Sequence, residues 1–424
     1  MRTSLLLIVS LITAMLSLCW VVPADAMPGF ARKYRMSCQT CHAPFPRLQP
    51  YGDEFAGNGF RLPEGDPARL FAKTGDDELL LVKDFPIGMR IDLFATIDRM
   101  GESDVETQTP EPTTFDLKMP FNLKIISGGP ISESISYYFY FFFSEKGEIA
   151  GIEDALLAIS DVFGSGINLT VGQFAVSDPL LKGELRLTRD TYAMFAFKPP
   201  LSSANLKYDR GIVIDYGFDF GLDASLQVVN GNGIGGPSEP TKAFDRDNYK
   251  NLMLRLSQDL EVFRIGAFAY WGIERRAGLS SESVPSPAEA DNQTLYVGGD
   301  FTFSIGPFEL NALYTMRHDD NPDFVTQDKR DCSAHAVLVE ANLIPGWEQG
   351  NWSLTALYNL ILSDYHEQDD GSPLDYHSVA LSTGYLIARN VRLMAEYVLL
   401  LEQSVEEVQY TNGHRGLLGL VAAF

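Results

Sequence analysis

Ile87-Gly88-Met89-Arg90-Ile91-Asp92-Leu93-Phe94-Ala95-Thr96-Ile97-Asp98-Arg99 alternates residue by residue. Ile87, Met89, Ile91, Leu93, Ala95 and Ile97 fall on one face, and Arg90, Asp92, Thr96 and Asp98 on the other. A period of two is the signature of a strand, whose successive side chains point to opposite sides. The pattern returns down the chain. Leu252, Leu254 and Leu256 oppose Asn251, Arg255 and Asp259; Leu295, Val297, Phe301 and Phe303 oppose Thr294, Tyr296, Asp300 and Thr302. Near the end, Val391, Leu393, Ala395, Tyr397 and Leu399 oppose Arg392 and Glu396. Segments of about ten residues, apolar on one side and charged on the other, suit membrane strands around a polar lumen. A soluble sandwich with one wet face is the alternative.

The connections separate the two. Strands are expected at 87–99, 115–127, 131–143, 151–162, 167–175, 210–219, 222–230, 249–259, 262–271, 293–304, 308–318, 332–343, 351–362, 376–387, 391–401 and 414–424. Every second connection is short, among them Gly128-Gly129-Pro130, Gly164-Ser165-Gly166, Phe220-Gly221, Leu260-Glu261 and Ile305-Gly306-Pro307. The others are mostly long and polar. Short turns at one end and longer loops at the other describe a bacterial outer-membrane barrel. The fold expected is therefore mainly β: an antiparallel transmembrane barrel of about sixteen strands over residues 87–424, ending on Phe424.

Composition agrees. The 424 residues hold 33 Lys and Arg against 56 Asp and Glu, for a net charge of −23. Such a chain repels phosphate, which excludes a nucleic-acid partner. With 45% hydrophobic residues it is not a disordered chain, and four cysteines do not make a disulfide scaffold. The expected outer loops (100–114, 144–150, 176–209, 231–248, 272–292, 319–331, 363–375 and 402–413) hold 30 acidic and 12 basic residues. Asp319, Asp320, Asp323, Asp328 and Asp331 crowd one loop, and Asp364, Glu367, Asp369, Asp370 and Asp375 another. A field of this sign concentrates cations at a surface; ordinary solvation or bridging of divalent ions to lipopolysaccharide are the other readings. Loop 176–209 differs, because Leu180, Leu181, Leu185, Leu187, Tyr192, Met194, Phe195 and Phe197 make it too apolar for solvent. It is expected to fold into the lumen.

Upstream of the strands, Arg2 precedes an apolar run from Leu5 to Val22, and Ala24-Asp25-Ala26 supplies a small-x-small cleavage site. Residues 1–26 read as an export signal; an uncleaved anchor is the rival. Cleavage would leave Cys38, Cys41 and Cys332, the last with no role that the sequence assigns. Cys38-Gln39-Thr40-Cys41-His42 has the C-x-x-C-H spacing of c-type haem attachment. Two thiols add to the haem vinyl groups and the adjacent imidazole ligates the iron. Positions 38, 41 and 42 share one side of a helical turn. A disulfide or redox C-x-x-C beside an incidental histidine is the competing reading.

Arg32, Lys33, Arg35 and Arg47 surround the motif without an acid between residues 27 and 50. They suit haem propionates, an acidic partner surface or plain solvent. Leu48, Tyr51 and Phe55 followed by Gly57-Asn58-Gly59 predict a short amphipathic helix with a glycine stop. The plan is thus a small α-helical haem domain at 27–75, a linker at 76–86, and the barrel. A segment this short cannot enclose a haem alone, so walls must come from elsewhere. Met36, Met253 and Met394 are the candidates for a second axial ligand, since His318, His335, His366, His377 and His414 fall in loops, at strand ends or on outward faces.

With the motif run Phe30-Ala31-Arg32, Met36-Ser37-Cys38-Gln39-Thr40-Cys41-His42, Phe45-Pro46 and Tyr51-Gly52 ahead of such a barrel, the chain resembles the fused outer-membrane monohaem cytochrome–porin family of iron-oxidising bacteria. The resemblance implies one covalent haem c on Cys38, Cys41 and His42, with His42 on the metal. It also implies a haem domain on the periplasmic or lumen side of the outer membrane. Electrons would pass between an extracellular donor such as Fe(II), or another redox substrate, and a soluble periplasmic cytochrome. An electron-transfer protein of this kind is an enzyme only if it oxidises iron directly. A diffusion porin, or a structural barrel bridging ions through its acidic loops, remains the alternative.

Overall fold

The computed structural model describes residues 29–424 apart from 63–64, 77–78, 80, 100, 104–112, 238–239, 241, 246, 280–284, 348–349, 366–373 and 406–407. The expected export signal, His366, and the acids Glu367, Asp369 and Asp370 lie outside the described residues. Sixteen long antiparallel strands close into one barrel. They are β1 (Ile87–Arg99), β2 (Thr114–Pro130), β3 (Ile135–Glu145), β4 (Gly151–Ile159), β5 (Asn168–Ala175) and β6 (Tyr208–Gly217). Next come β7 (Leu222–Val229), β8 (Asn251–Asp259), β9 (Phe263–Leu279), β10 (Pro285–Ile305) and β11 (Phe308–Asp319). The series ends with β12 (Cys332–Leu343), β13 (Trp352–Ser363), β14 (Tyr376–Ala388), β15 (Val391–Val405) and β16 (Val408–Ala423). Each pairs with its neighbour in sequence, and β16 closes on β1 with Leu418 opposite Ala95 and Ala423 opposite Arg90. The chain end completes the seam: the Met89 and Phe424 amides each donate to the other's carbonyl, at 2.7 and 2.8 Å.

The alternation decides which face is wet. On β1, Asp92, Phe94 and Thr96 are buried toward the lumen while Ile97 is 53% exposed on the outside. Leu252, Leu254 and Leu256 on β8, Leu381 on β14 and Leu418 on β16 are likewise exposed. A belt of outward aliphatic side chains is costly in water, at about 25 cal/mol per Å², and neutral against lipid. An apolar exterior around a polar interior is the membrane-barrel arrangement, so the outer face is lipid-facing.

Inside, the main hydrophobic cluster joins loop 176–207 to the inner wall. Leu180, Tyr192, Met194, Phe195 and Leu206 pack with Met253, Tyr270, Tyr296, Leu338 and Leu357. Each such side chain buried is worth about 1.5–3 kcal/mol. The long loop therefore fills the lumen, as its composition requires. Its backbone is held by carboxylates of the wall: the Arg189 and Asp190 amides donate to Glu396 at 2.6 and 2.8 Å. The Tyr192 hydroxyl donates to Glu340 at 2.8 Å.

Three expectations change. Gly128-Gly129-Pro130 is not a turn but the end of β2, paired with Tyr138, Tyr137 and Ser136, and the chain reverses over 131–134. The glycine serves packing: a Cβ at Gly128 would lie 2.9 Å from the Phe60 ring. Loop 272–292 is largely strand, with β9 and β10 running on in register from Gly272/Thr294 to Ala277/Glu289. Its charges looked like loop residues, yet Arg275 and Asp291 meet across the ladder at 2.6 Å. Much of 402–413 is also paired, as in Glu402/Thr411 and Gln403/Tyr410.

Candidate functional site

The N-terminal segment sits at the short-turn end of the barrel. Helix α1 (Gly29–Tyr34) lies against the start of β1, and a Cβ on Gly29 would come within 2.6 Å of the Pro86 backbone. Helix α2 (Pro50–Gly57) starts on a proline and ends at Asn58, close to the expected bounds, with Phe55 buried. Tyr34, Phe55 and Leu70 form a small core with Phe30, Met36 and Phe60 packed on it. Arg61 binds the Ile135 carbonyl at 3.0 Å in the 131–134 turn region, and Phe60 stacks on Tyr138 with centroids 5.1 Å apart. The segment is thus tied to the β2–β3 corner.

The four basic residues near the motif are not one free face. Lys33 is buried and paired with Asp66 at 3.2 Å. Arg32 donates to the Ile87 carbonyl, and Arg47 forms an ion pair with Glu309 of β11. Arg35 alone of the four is exposed without such a tie among the described residues.

The C-x-x-C-H motif forms a single helical turn. Ser37 caps a 3-10 turn over Cys38–Thr40, and the Cys41 and His42 amides both donate to the Cys38 carbonyl, at 3.2 and 2.9 Å. That brings Cys38, Cys41 and His42 to one side, as the spacing predicts. Gly52 lets α2 press on this turn, because a Cβ there would lie 2.3 Å from the Cys41 carbonyl oxygen. Gln49 closes it from the other side, donating to the Gln39 and His42 carbonyls.

All three motif residues line one cavity of about 820 Å³. Its remaining walls come from the barrel and the inner loop, including Arg90, Lys124, Tyr138, Asp154, Tyr208 and Arg255. The N-terminal segment does not enclose the space by itself; the lumen does.

The residues fit a haem on two counts. His42 Nδ1 lies 3.0 Å from the Pro46 carbonyl and 3.2 Å from that of Arg47. Carbonyls only accept, so Nδ1 carries the proton and Nε2 keeps its lone pair, the tautomer a ligating imidazole needs. Burial also lowers the His42 pKa, keeping the ring neutral. The second count is the thiols. Cys38 and Cys41 are free. Burial, reinforced by Cys38, pushes the Cys41 thiol up to about 11, and burial raises Cys38 as well. A redox C-x-x-C works through a lowered thiol pKa, and burial acts on this pair in the other direction.

Of the three methionines, Met36 lines the cavity. Met253 is buried in the lumen core, and Met394 packs with Phe94 and Phe121 behind Phe45, so neither faces the space. Four of the barrel histidines are described: His318, near the end of β11, bonds Ser333 Oγ at 3.0 Å, and His335, His377 and His414 pack on Tyr314, Tyr358 and Tyr397. Cys332 is buried at the start of β12, 3.6 Å from Ser363 Oγ. No three His, Cys, Asp or Glu side chains among the described residues converge to hold a bare metal ion.

The acidic loop loses a member. Asp319 ends β11, is fully buried, and pairs with Arg317 at 2.5 Å. It belongs to the lumen rather than to an outer field. Sequence reasoning missed both this clamp, whose two residues look like part of a solvated charged run, and the Arg47–Glu309 pair, whose partners lie 262 residues apart.

No family model matches the chain, and no curated protein matches it. Among solved structures, its fold is similar to the anion-selective porin from Comamonas acidovorans (TM-score 0.54, 10% identity, covering 80% of this chain and 99% of that one). It is also similar to OmpT of Vibrio cholerae in its trimer form (0.51, 14%, 80% and 99%). The outer-membrane channel DcaP of Acinetobacter baumannii is comparable (0.51, 14%, 80% and 97%). At these identities the likeness establishes the barrel fold alone.

Proposed function

We propose that this chain is an outer-membrane barrel carrying one covalently attached haem c, and that it moves electrons between the cell exterior and a soluble periplasmic carrier. The observation that carries this reading is the shared cavity: Cys38, Cys41 and His42 face the same space as the inner wall of the barrel. When bound, the haem supplies a one-electron couple set by its axial ligands and surroundings. The chain's own residues do the rest. Cys38 and Cys41 anchor the group, and His42 is the proximal ligand, oriented by the Pro46 and Arg47 carbonyls. Met36, which lines the cavity, is the candidate for the distal side. Loop 176–207 and the strands wall the cavity on the barrel side, and a cationic donor such as Fe(II) is drawn by the acidic outer loops.

The reading is tested in liposomes that enclose an oxidised soluble cytochrome. An impermeant reductant added outside should reduce the enclosed cytochrome with the wild-type protein and not with Cys38→Ala/Cys41→Ala. Equal rates for the two would remove the electron-transfer role.

A diffusion porin plugged by its N-terminal segment is the second reading, favoured by the similarity of the barrel to known porins. It predicts solute flux through the purified protein in liposomes and no haem. Haem-linked electron transfer depends on Cys38 and Cys41 and solute flux on an open lumen, so the two tests have separate readouts.

A further inference from the structure

Arg90, Lys124 and Arg389 line the cavity from β1, β2 and the β14–β15 turn, and Arg392, at the start of β15 behind that lining, is within electrostatic reach of Arg90. Only two of these four cations are paired with an acid among the described residues. Arg90 holds Asp92 at 2.7 and 3.0 Å, and Lys124 holds Glu184 at 2.9 Å. Arg389 donates to the neutral amide oxygen of Asn351 at 3.0 Å. Arg392 is 2% exposed and, among the described residues, forms no ion pair and finds no acceptor for Nε or Nη1. Its Nη2 reaches only the Met394 sulfur, at 4.0 Å.

The acids nearest to Arg392, Asp92 and Glu396, are already engaged. Asp92 is taken by Arg90 and Asn122. Glu396 accepts the Arg189 and Asp190 amides of the inner loop. A buried guanidinium without a counter-charge is among the costliest arrangements a protein can hold. The wall therefore holds two cations, Arg389 and Arg392, with no carboxylate bonded to them among the described residues, beside a cavity that also contains the C-x-x-C-H turn.

We propose that Arg392, with Arg90 and Arg389, is a receptor for carboxylate-type oxyanions. In the holoprotein it takes the two propionates of the haem. This rests on the haem reading above; a free oxyanion such as phosphate has the same chemistry and is the other source.

Arg392→Gln and Arg392→Lys holoproteins, checked for the heat-modifiable migration of a folded barrel, are titrated potentiometrically beside wild type, first without and then with inorganic phosphate. Loss of a cation next to the propionates favours the ferric state. The midpoint potential should fall in Arg392→Gln and be retained in Arg392→Lys, with wild type indifferent to phosphate. A wild-type potential that moves with phosphate, and stops moving in Arg392→Gln, assigns the receptor to a free oxyanion instead. If Arg392→Gln changes neither the potential nor the phosphate response, the receptor is overturned. Should wild type carry no haem, the haem reading fails separately. Calorimetric titration of wild type and Arg392→Gln with phosphate then decides the receptor by itself: binding lost in the variant supports it, and no binding to either refutes it.

Discussion

Asp319→Asn should unlatch the inner loop from the barrel wall. Arg317 and Asp319 are buried together, at 2% and 0% side-chain exposure, with contacts at 2.5 and 2.9 Å. Arg317 uses its other protons on the loop: the carbonyls of Phe197 and Ala204 at 3.1 and 2.8 Å, and Ser202 Oγ at 3.0 Å. Removing one partner of a buried pair costs about 3–5 kcal/mol, because the other charge stays behind. Asparagine keeps one acceptor oxygen, and Arg317 keeps its loop carbonyls, so about 3 kcal/mol is expected, or roughly a hundredfold in the folding equilibrium. Asp320→Asn is the control. Asp320 is exposed and accepts only from the Gln293 amide, at 2.6 Å, so about 0.5 kcal/mol or less is expected there. Urea unfolding of the refolded protein, followed by tryptophan fluorescence, reads both. Equal midpoints for the two variants would refute the clamp. With the clamp broken, solute flux through liposomes should also rise.

Cys38→Ala or Cys41→Ala should abolish the haem-dependent peroxidase band on a denaturing gel, while His42→Ala leaves the thioethers and shifts the absorption spectrum. Gly52→Ala should lower haem incorporation without changing barrel migration, since its Cβ must displace the Cys41 carbonyl from 2.3 Å; haem per protein measures it. An epitope inserted between Asp323 and Asp331 should be reached by antibody on intact cells, and one at 131–134 should not. The reverse labelling would invert the topology.

The barrel was legible because lipid and lumen impose opposite demands on alternate residues of every strand. Sixteen segments of that kind, with turns at every second junction, leave few other folds. The ends of strands were harder to read. Gly128-Gly129-Pro130 looks like a turn until Phe60 is seen to need the space, and 272–292 looks like a loop because Arg275 and Asp291 carry charge. Loop 176–209 was readable from its apolar content alone. At the site, Cys38, Cys41 and His42 were legible as a local motif, since one turn of backbone brings them together. What surrounds them was not. Arg47 meets Glu309, and Arg392 comes within electrostatic reach of Arg90, only after the barrel closes, and no spacing in the chain records such neighbours. Asp319 was misread for a similar reason: a run of acids reads as surface, whereas its burial depends on an arginine two positions back turning inward with it.

The reduced-minus-oxidised absorption spectrum of the purified full chain, scaled to protein, tests the central claim most directly. One thioether-linked haem per chain, lost in the Cys38→Ala/Cys41→Ala variant, is the result predicted. A folded barrel from cells with a working c-type maturation system that shows no haem absorption would contradict it, and would leave the plugged porin.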